Sequence, residues 1–196
     1  MRIGILGSGF MGAVHAAAWS RTPAKIAGFF SAARAQAAGL AAKYNVRAFD
    51  SYAELLANCD VVDICTPTYL HREQVEQAAA AGKHILCEKP LALTAADGRH
   101  MIAVCKSAGV KLLVAHVVRF FPEYALAQQT VQRGEIGQVA VIRLTRCSFQ
   151  PRLTGDRNWF LDPAKSGGMI MDLMIHDFDY ARWVGGEVLS VFTKSV

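Results

Sequence analysis

The chain has 196 residues, of which 53% are hydrophobic and 19% are charged. A chain of this length can bury a sizeable core, and its composition lacks the low hydrophobicity and high charge of disordered proteins. The formal net charge of +5 comes from basic residues that are scattered and form no stripe with interleaved aromatic residues, so we expect no nucleic-acid partner.

Apolar runs and cysteine spacing bear on the location of the protein. No apolar run approaches the roughly 20 residues that span a bilayer, and the N-terminus leads directly into a strand-like run without the pattern of a secretory signal. The five cysteines form no Cys-x-x-Cys pair, which argues against a disulfide framework or a zinc ribbon. We therefore expect a cytoplasmic protein with reduced thiols and no membrane partner.

Short β-rich runs alternate with alanine-rich helical stretches as far as residue 115. This alternation predicts an α/β fold with a doubly wound parallel sheet and helices on both of its faces. Gly82 and Gly109 stand where helix C-caps are expected. The predicted strands are Arg2–Gly7, Lys25–Ser31, Asp60–Cys65, Lys83–Cys87 and Lys111–Ala115, and the predicted helices are Ala32–Tyr44, Leu70–Ala81 and Thr94–Ala108.

The pattern changes near residue 120, which predicts one unit over 1–120 and a second over 121–196. A helix over Glu123–Arg133 leads into a long alternating run, Val139–Phe149, that predicts a strand of a different sheet. A further helix ends near Val184, and Val188–Thr193 predicts another strand. Because one or two strands cannot form a stable sheet alone, we expect the second unit to be the incomplete beginning of an α+β domain.

A glycine-rich motif follows the first predicted strand and opens a predicted helix: Gly7-Ser8-Gly9-Phe10-Met11-Gly12. In this G-x-G-x-x-G, the first glycine permits a tight turn, the second lets backbone approach a pyrophosphate, and the third permits close helix packing. The free amides of the helix N-terminus then face the phosphates. The motif predicts a dinucleotide site in an N-terminal Rossmann domain, and the alternative is a glycine turn that only joins strand to helix.

The end of the second strand bears on which dinucleotide binds. An NAD site usually has an acidic residue there for the ribose 2′-hydroxyl, but no Asp or Glu occurs between Gly12 and Asp50. Ser31 holds the expected position and Arg34 follows, and a hydroxyl with a guanidinium can bind a 2′-phosphate. We expect NADP to be preferred and NAD to remain possible. The alternative is that Arg34 is an ordinary solvated helix residue.

Two clusters carry candidate chemistry. Glu88 and Lys89 emerge from a predicted buried strand at the edge where ligands bind in parallel sheets, although they could form a simple surface ion pair. Asp172, His176 and Asp179 have the spacing of one helix face, where a carboxylate and an imidazole could form a proton-transfer unit. A metal site and a helix-dipole role for the carboxylate are the alternatives, but we expect no metal because no complete ligand set is evident.

Taken in order, these motifs resemble the glucose-fructose oxidoreductase/inositol dehydrogenase family, Gfo/Idh/MocA, along the whole chain. The residues that carry the resemblance are the glycine motif, Thr66-Pro67-Thr68 with His71, Glu88-Lys89-Pro90, Arg119-Phe120 before Pro122, Trp159, and Gly167-Gly168 followed by Asp172, His176 and Asp179.

The resemblance implies an NAD(P)-dependent dehydrogenase or reductase that moves a hydride between nicotinamide and a sugar, polyol or related hydroxy compound. It implies that His176 is the general base, that Lys89 stabilises the alkoxide and that Asp172 positions the substrate. It also implies a homo-oligomer. The cofactor site would comprise Gly7, Gly9, Phe10, Met11, Gly12, Ser31, Arg34, Thr66, Pro67, His71, Glu88 and Lys89.

The sequence departs from the family at several points. Met169 and Met174 stand where many members have glycine, which could narrow the pocket, and Ser31 replaces a common aspartate. The family's second domain normally continues for over a hundred residues more, so we expect part of the substrate site to be missing. Two other interpretations remain open: a non-catalytic nucleotide-binding or redox-sensing protein, and a truncated chain that binds cofactor without turnover.

Overall fold

A computed structural model of the chain describes residues 1–147 and 159–194. Its central feature is a six-stranded sheet in the order β3-β2-β1-β4-β5-β6, in which every pair of neighbours is parallel. The strands are β1 Arg2–Leu6, β2 Lys25–Phe30, β3 Arg47–Ala48, β4 Val61–Ile64, β5 His84–Cys87 and β6 Leu112–Val114. This order reverses direction beside β1, so the doubly wound fold predicted from the sequence is confirmed.

The helices connect and flank these strands. They are α1 Phe10–Trp19, α2 Arg34–Tyr44, α3 Tyr52–Ala57, α4 His71–Ala80, α5 Ala95–Ser107, α6 Pro122–Gln132, α7 Pro163–Ser166, α8 Gly168–Asp172 and α9 Ile175–Gly185, with short 3-10 turns at Thr68–Leu70 and Val117–Phe120. None of the helices within the described ranges combines the length and the apolar character needed to cross a bilayer.

Two apolar cores lie on opposite faces of the sheet. Ile3 and Ile5 of β1 pack with Ala16 of α1 and with Ala37 and Ala41 of α2. The alternate side chains of the sheet point the other way, into a larger core with α3, α4 and α5. Side chains that alternate along β1 thus reach both cores, because successive residues of a strand point to opposite faces.

The short strand β3 and the helix α3 are absent from the sequence prediction, although a capping signal marks α3. Ser51 is its N-cap, and the Ser51 hydroxyl accepts a hydrogen bond from the Glu54 amide at 3.1 Å. Glu54 in turn accepts from the Asp50 amide at 3.0 Å. The spacing Ser-x-x-Glu is that of a capping box and can be read from sequence alone, although Glu54 here accepts from the amide just before the N-cap.

The two strands predicted for the second unit are not formed. Within the described residues, 139–147 and 188–194 have no regular secondary structure, and 148–149 lie outside the described ranges. The alternating side chains contact little: Val141 is 82% exposed and Leu189 is 100% exposed. A strand exists only through hydrogen bonds to a neighbour, and the described part of the chain pairs no segment with either run.

Candidate functional site

The glycine motif forms a tight loop at the carboxyl ends of the strands, here called the carboxyl edge of the sheet. Gly7 has a φ of 104°, and a Cβ there would lie 2.7 Å from the carbonyl oxygen of Cys65. A Cβ on Gly12 would collide with the Gly7 carbonyl, whereas the space around Gly9 is open. Only glycine fits at the two crowded positions, and Gly9 leaves room for a ligand to approach backbone.

The N-terminus of α1 lies within this loop, because the helix begins at Phe10. Its N-cap, Gly9, supplies no side-chain hydrogen bond to the first amides. Phe10 is 77% exposed and Met11 is partly buried. The free amides and the positive end of the helix dipole therefore face open space beside the loop, an arrangement that suits a phosphate.

The end of β2 carries a charge pair that sequence reasoning did not foresee. Ser31 accepts a hydrogen bond from the Ala33 amide at 3.2 Å. The Arg34 guanidinium donates to Asp50 twice, to the carboxylate Oδ1 and to the carbonyl oxygen, each at 2.8 Å. Arg34 and Asp50 are both largely exposed. A carboxylate thus lies beside the predicted 2′-phosphate ligands, although it comes from the residue before the N-cap of α3 and not from β2.

His71 joins the loops that follow β4 and β5. Its ring is fully buried, with Nε2 2.9 Å from the carbonyl oxygen of Thr66 and Nδ1 3.0 Å from that of Pro90. Burial lowers the pKa of His71 below its usual range. Its contacts are with loop backbone, so it fixes the positions of Thr66, Pro67 and the Glu88-Lys89-Pro90 segment from beneath.

Lys89 reaches across from the sheet to the second cluster. Its ammonium donates to the carbonyl oxygen of Asp172 at 2.6 Å and lies 3.4 Å from the Asp172 carboxylate. Burial raises the pKa of Asp172, and the neighbouring Lys89 charge opposes that shift. Two candidate residues that are far apart in sequence therefore meet at the carboxyl edge.

The predicted single helix through Asp172 and His176 is wrong, because the helix is interrupted between α8 and α9. The Met174 amide bonds back five residues to Met169 at 3.2 Å, and the His176 amide bonds to Leu173 at 3.4 Å. In a regular helix the His176 amide would bond to the Asp172 carbonyl. The break frees that carbonyl, and Lys89 takes it.

His176 lies half-buried beside cations. Burial, followed by the positive charges of Lys89, Arg146 and His116, lowers its pKa to about 4. Its Nδ1 is buried and has no hydrogen-bond partner among the described residues. Among the described residues, no hydrogen bond joins His176 to Asp172, and the Asp172 carboxylate faces Lys89 instead. The imidazole is therefore neutral at pH 7 and able to accept a proton.

One residue near His176, His116, was not predicted from the sequence. His116 follows β6 at the carboxyl edge, and its buried Nδ1 also lacks a hydrogen-bond partner among the described residues. Asp179 accepts two hydrogen bonds from Arg119, at 2.6 and 2.7 Å, and lies 3.7 Å from His116. The rule that ligands bind beyond the carboxyl ends of parallel strands would have pointed to His116.

A buried polar cluster beneath the edge was also missed. His15, Asp63 and Cys65 place ligand-type atoms within 4.8 Å of one another, a spacing that could hold a metal ion. His15 also contacts Glu88 at 2.9 Å. The signal for this cluster in the sequence is Asp63, a charged residue inside the otherwise apolar strand β4.

Comparisons with known proteins agree with this architecture. Residues 1–116 match the family described as "Oxidoreductase family, NAD-binding Rossmann fold", and residues 124–195 match the GFO/IDH/MocA C-terminal domain. The Rossmann dinucleotide fold predicted from the glycine motif is confirmed.

Three similar proteins illustrate the match. Inositol 2-dehydrogenase of Rhizobium meliloti (strain 1021) is 37% identical over 191 residues, which is 95% of this chain and 56% of the relative. A probable dehydrogenase from Thermotoga maritima superposes with a TM-score of 0.85 at 33% identity, over 96% of this chain and 56% of that one. GenD2 from gentamicin A biosynthesis, solved in complex with NAD, gives a TM-score of 0.81 at 25% identity, over 95% and 54% of the two chains. The chain thus spans little more than half the length of these relatives.

Proposed function

The chain belongs to the Gfo/Idh/MocA oxidoreductase family, and from that premise we propose that it carries the cofactor site and catalytic residues of an NAD(P)-dependent dehydrogenase acting on a sugar or polyol. One observation carries the proposal: Lys89, at the carboxyl edge beside the open glycine loop, bonds to Asp172 next to a neutral His176. A cation and a proton acceptor beside a dinucleotide site suit oxidation of an alcohol.

The roles of the residues follow from their chemistry. The bound nicotinamide supplies the hydride acceptor or donor. His176 takes the proton from the substrate hydroxyl, for which its neutral ring is suited at pH 7. The Lys89 ammonium stabilises the negative charge that develops on that oxygen. Asp172 holds Lys89 in place and accepts a hydrogen bond from a neighbouring substrate hydroxyl.

The cofactor preference is a finer part of the proposal. Ser31 and Arg34 lie where the adenosine ribose of a bound dinucleotide would end, which supports recognition of a 2′-phosphate and hence of NADP. Asp50 competes for the same guanidinium. We propose that NADP binds when Arg34 turns from Asp50 to the phosphate, and that NAD binds without this exchange.

Oligomeric state and location complete the proposal. We propose a unit boundary near residue 120 and a homo-oligomer, supported by the exposed apolar side chains of the second unit, among them Leu189 at 100% and Phe192 at 92% exposure. Large exposed apolar surface is typical of interfaces. The free cysteines support a reducing compartment such as the cytoplasm.

Substitution of Lys89 by Met tests the catalytic proposal. In the full-length protein we expect turnover of a panel of sugars and polyols to fall at least about a hundredfold, the usual scale for losing one preorganised donor to an oxyanion. NADH and NADPH affinity, measured by fluorescence titration, should stay within about twofold.

Lys83→Met is the matched control, because Lys83 directly precedes β5, at the end of the strand opposite Lys89. It should leave both turnover and cofactor binding unchanged. Normal turnover in Lys89→Met would remove Lys89 from the mechanism, and a folded wild-type chain that binds neither dinucleotide would overturn the proposed function.

A further inference from the structure

A carboxylate is fully buried in the middle of the sheet. Asp63 lies in β4 with no exposed surface, and its oxygens accept hydrogen bonds from three side chains. His15 Nδ1 lies 3.0 Å from both oxygens, Trp19 Nε1 donates at 2.6 Å, and the Cys65 thiol donates at 3.5 Å. A buried charge requires such pairing, since an uncompensated one is strongly destabilising.

The other side of the His15 ring faces a second carboxylate. Its Nε2 lies 2.9 Å from Glu88 Oε1, and Glu88 Oε2 accepts the Lys89 amide at 3.0 Å. Both ring nitrogens therefore face negative oxygens, which only the doubly protonated ring can satisfy. Burial alone would lower the pKa of His15, but hydrogen bonds to Asp63, Cys65 and Glu88 outweigh it and raise the pKa to about 12.

Hydrogen-bond donors of the protein satisfy every contact in this network. The two N–H groups of the imidazolium, the Trp19 indole and the Cys65 thiol supply a hydrogen to every contact with Asp63 and Glu88. The hydrogen bonds of this network therefore require no metal ion, although the spacing of His15, Asp63 and Cys65 would permit one.

The position of His15 links it to the cofactor site. It lies on α1 one turn beyond Gly12, and it bonds to β4 through Asp63 and to the end of β5 through Glu88. The Glu88 side chain is 8% exposed, and it precedes Lys89 at the carboxyl edge. One imidazolium thus ties the helix behind the phosphate loop to the carboxylate beside the proposed catalytic lysine.

We infer that His15 is a positioning residue of the cofactor site: clamped between Asp63 and Glu88, it holds the Glu88 carboxylate in place for the nicotinamide half of the dinucleotide. The inference rests on the proposed dehydrogenase function. Loss of His15 should weaken binding of the nicotinamide riboside half of the dinucleotide, because we assign the adenosine and phosphate contacts to the glycine loop and the end of β2.

His15→Gln tests the inference, because glutamine is neutral and its amide cannot donate to two separated carboxylates as the imidazolium does. We expect the dissociation constant of NADH to rise about tenfold, equivalent to about 1.4 kcal/mol. ADP, which carries adenosine and both phosphates without the nicotinamide riboside, should bind within about twofold of wild type. Both are measured on the 196-residue chain, NADH by its fluorescence and ADP by calorimetry.

His100→Gln is the matched control. His100 is a helical histidine in α5 whose Nε2 also lies 2.9 Å from a glutamate, Glu76, but at the exposed surface. It should leave both dissociation constants unchanged. Equal weakening of NADH and ADP in His15→Gln would indicate a purely structural histidine and overturn the inference, as would the absence of any change.

A second variant separates positioning from stability. In His15→Gln combined with Asp63→Asn, the uncompensated buried carboxylate is removed, so the melting temperature should recover while the tenfold loss for NADH alone persists. If NADH affinity recovers along with the melting temperature, the inference is overturned. A folded wild-type chain that binds neither NADH nor ADP would instead refute the proposed function, and the inference with it.

Discussion

His176 shows how a few neighbouring charges set the chemistry of one side chain. Burial and the positive charges of Lys89 and Arg146, with a smaller contribution from His116, lower its pKa to about 4. Because the unfolded chain has a histidine pKa near 6.5, the folded state resists protonation between the two values. This contribution to stability is fully present above about pH 6.5 and is lost as the pH falls toward 4.

Removing one cation should reverse part of this shift. In Lys89→Met we expect the pKa of His176 to move upward, toward its usual value, because the charge that lowers it most is gone. The measurement is a pH titration of the histidine ring signals by NMR, with His176→Asn to assign the resonance. Lys83→Met is the control, and an unmoved His176 titration in Lys89→Met would show that the Lys89 charge does not contribute to the shift.

Asp50 offers a test of cofactor preference at a single residue. Asp50→Asn should free Arg34 and remove a charge that repels a phosphate, so the preference for NADPH over NADH should increase about three- to tenfold, as expected for losing one exposed carboxylate near an anion. Parallel fluorescence titrations measure the ratio. Asp60→Asn, which removes the exposed carboxylate paired with Arg2 at the opposite edge of the sheet, is the control. An unchanged ratio in Asp50→Asn would show that the 2′-phosphate is recognised elsewhere.

Individual site residues were predictable from sequence where a local motif marks them. Gly7, Gly12 and Lys89 follow from strand ends and glycine spacing. His15 did not, because its role depends on Asp63 and Glu88, which only the fold brings to its two ring nitrogens. Asp50 was missed for the same reason, since it reaches Arg34 from the start of another helix.

At the scale of elements, α3 is the helix that sequence reasoning should have found. Ser51→Ala tests whether the N-cap stabilises this helix. It removes the acceptor for the Glu54 amide and should lower the free energy of unfolding by about 1 kcal/mol. Urea unfolding measures the change. Ser107→Ala, at the exposed last turn of α5, should change it by less than about 0.5 kcal/mol. Equal effects at the two serines would mean that the cap contributes nothing.

Periodicity predicted the Rossmann elements other than β3 and α3, and it failed where an element depends on distant residues. The break between α8 and α9 leaves the Asp172 carbonyl to Lys89, a partner from across the molecule that no local pattern reveals. The runs at 139–149 and 188–193 have the alternation of strands, but a strand also needs a neighbour, and periodicity cannot supply one. Local pattern therefore predicted the parallel sheet, but it could not predict the contacts between residues far apart in the sequence.

On the scale of the whole molecule, charged contacts are among those that join the Rossmann elements to helices α8 and α9. Lys89 reaches Asp172, and Arg119 holds Asp179 of α9 through two short hydrogen bonds while its guanidinium lies 5.5 Å from the Trp183 ring. Asp179 is largely buried, and the Arg119 hydrogen bonds outweigh burial to lower the pKa of its carboxyl. Removal of Arg119 would leave a buried charge without its main partner.

We therefore expect Arg119→Gln to loosen α9 selectively. Hydrogen exchange of the α9 amides, followed by mass spectrometry, should accelerate about tenfold or more, consistent with about 1.5–3 kcal/mol for a hydrogen bond to a charged group. Exchange in β1 and β4 and the affinity for ADP should not change, because the sheet and the glycine loop do not contact Arg119. Arg72→Gln, which breaks exposed pairs with Glu76 and Asp97, is the control. If α9 exchanges at the wild-type rate in Arg119→Gln, this ion pair does not hold the helix of His176, the proposed general base, to the Rossmann elements, and other contacts such as that of Lys89 with Asp172 must do so instead.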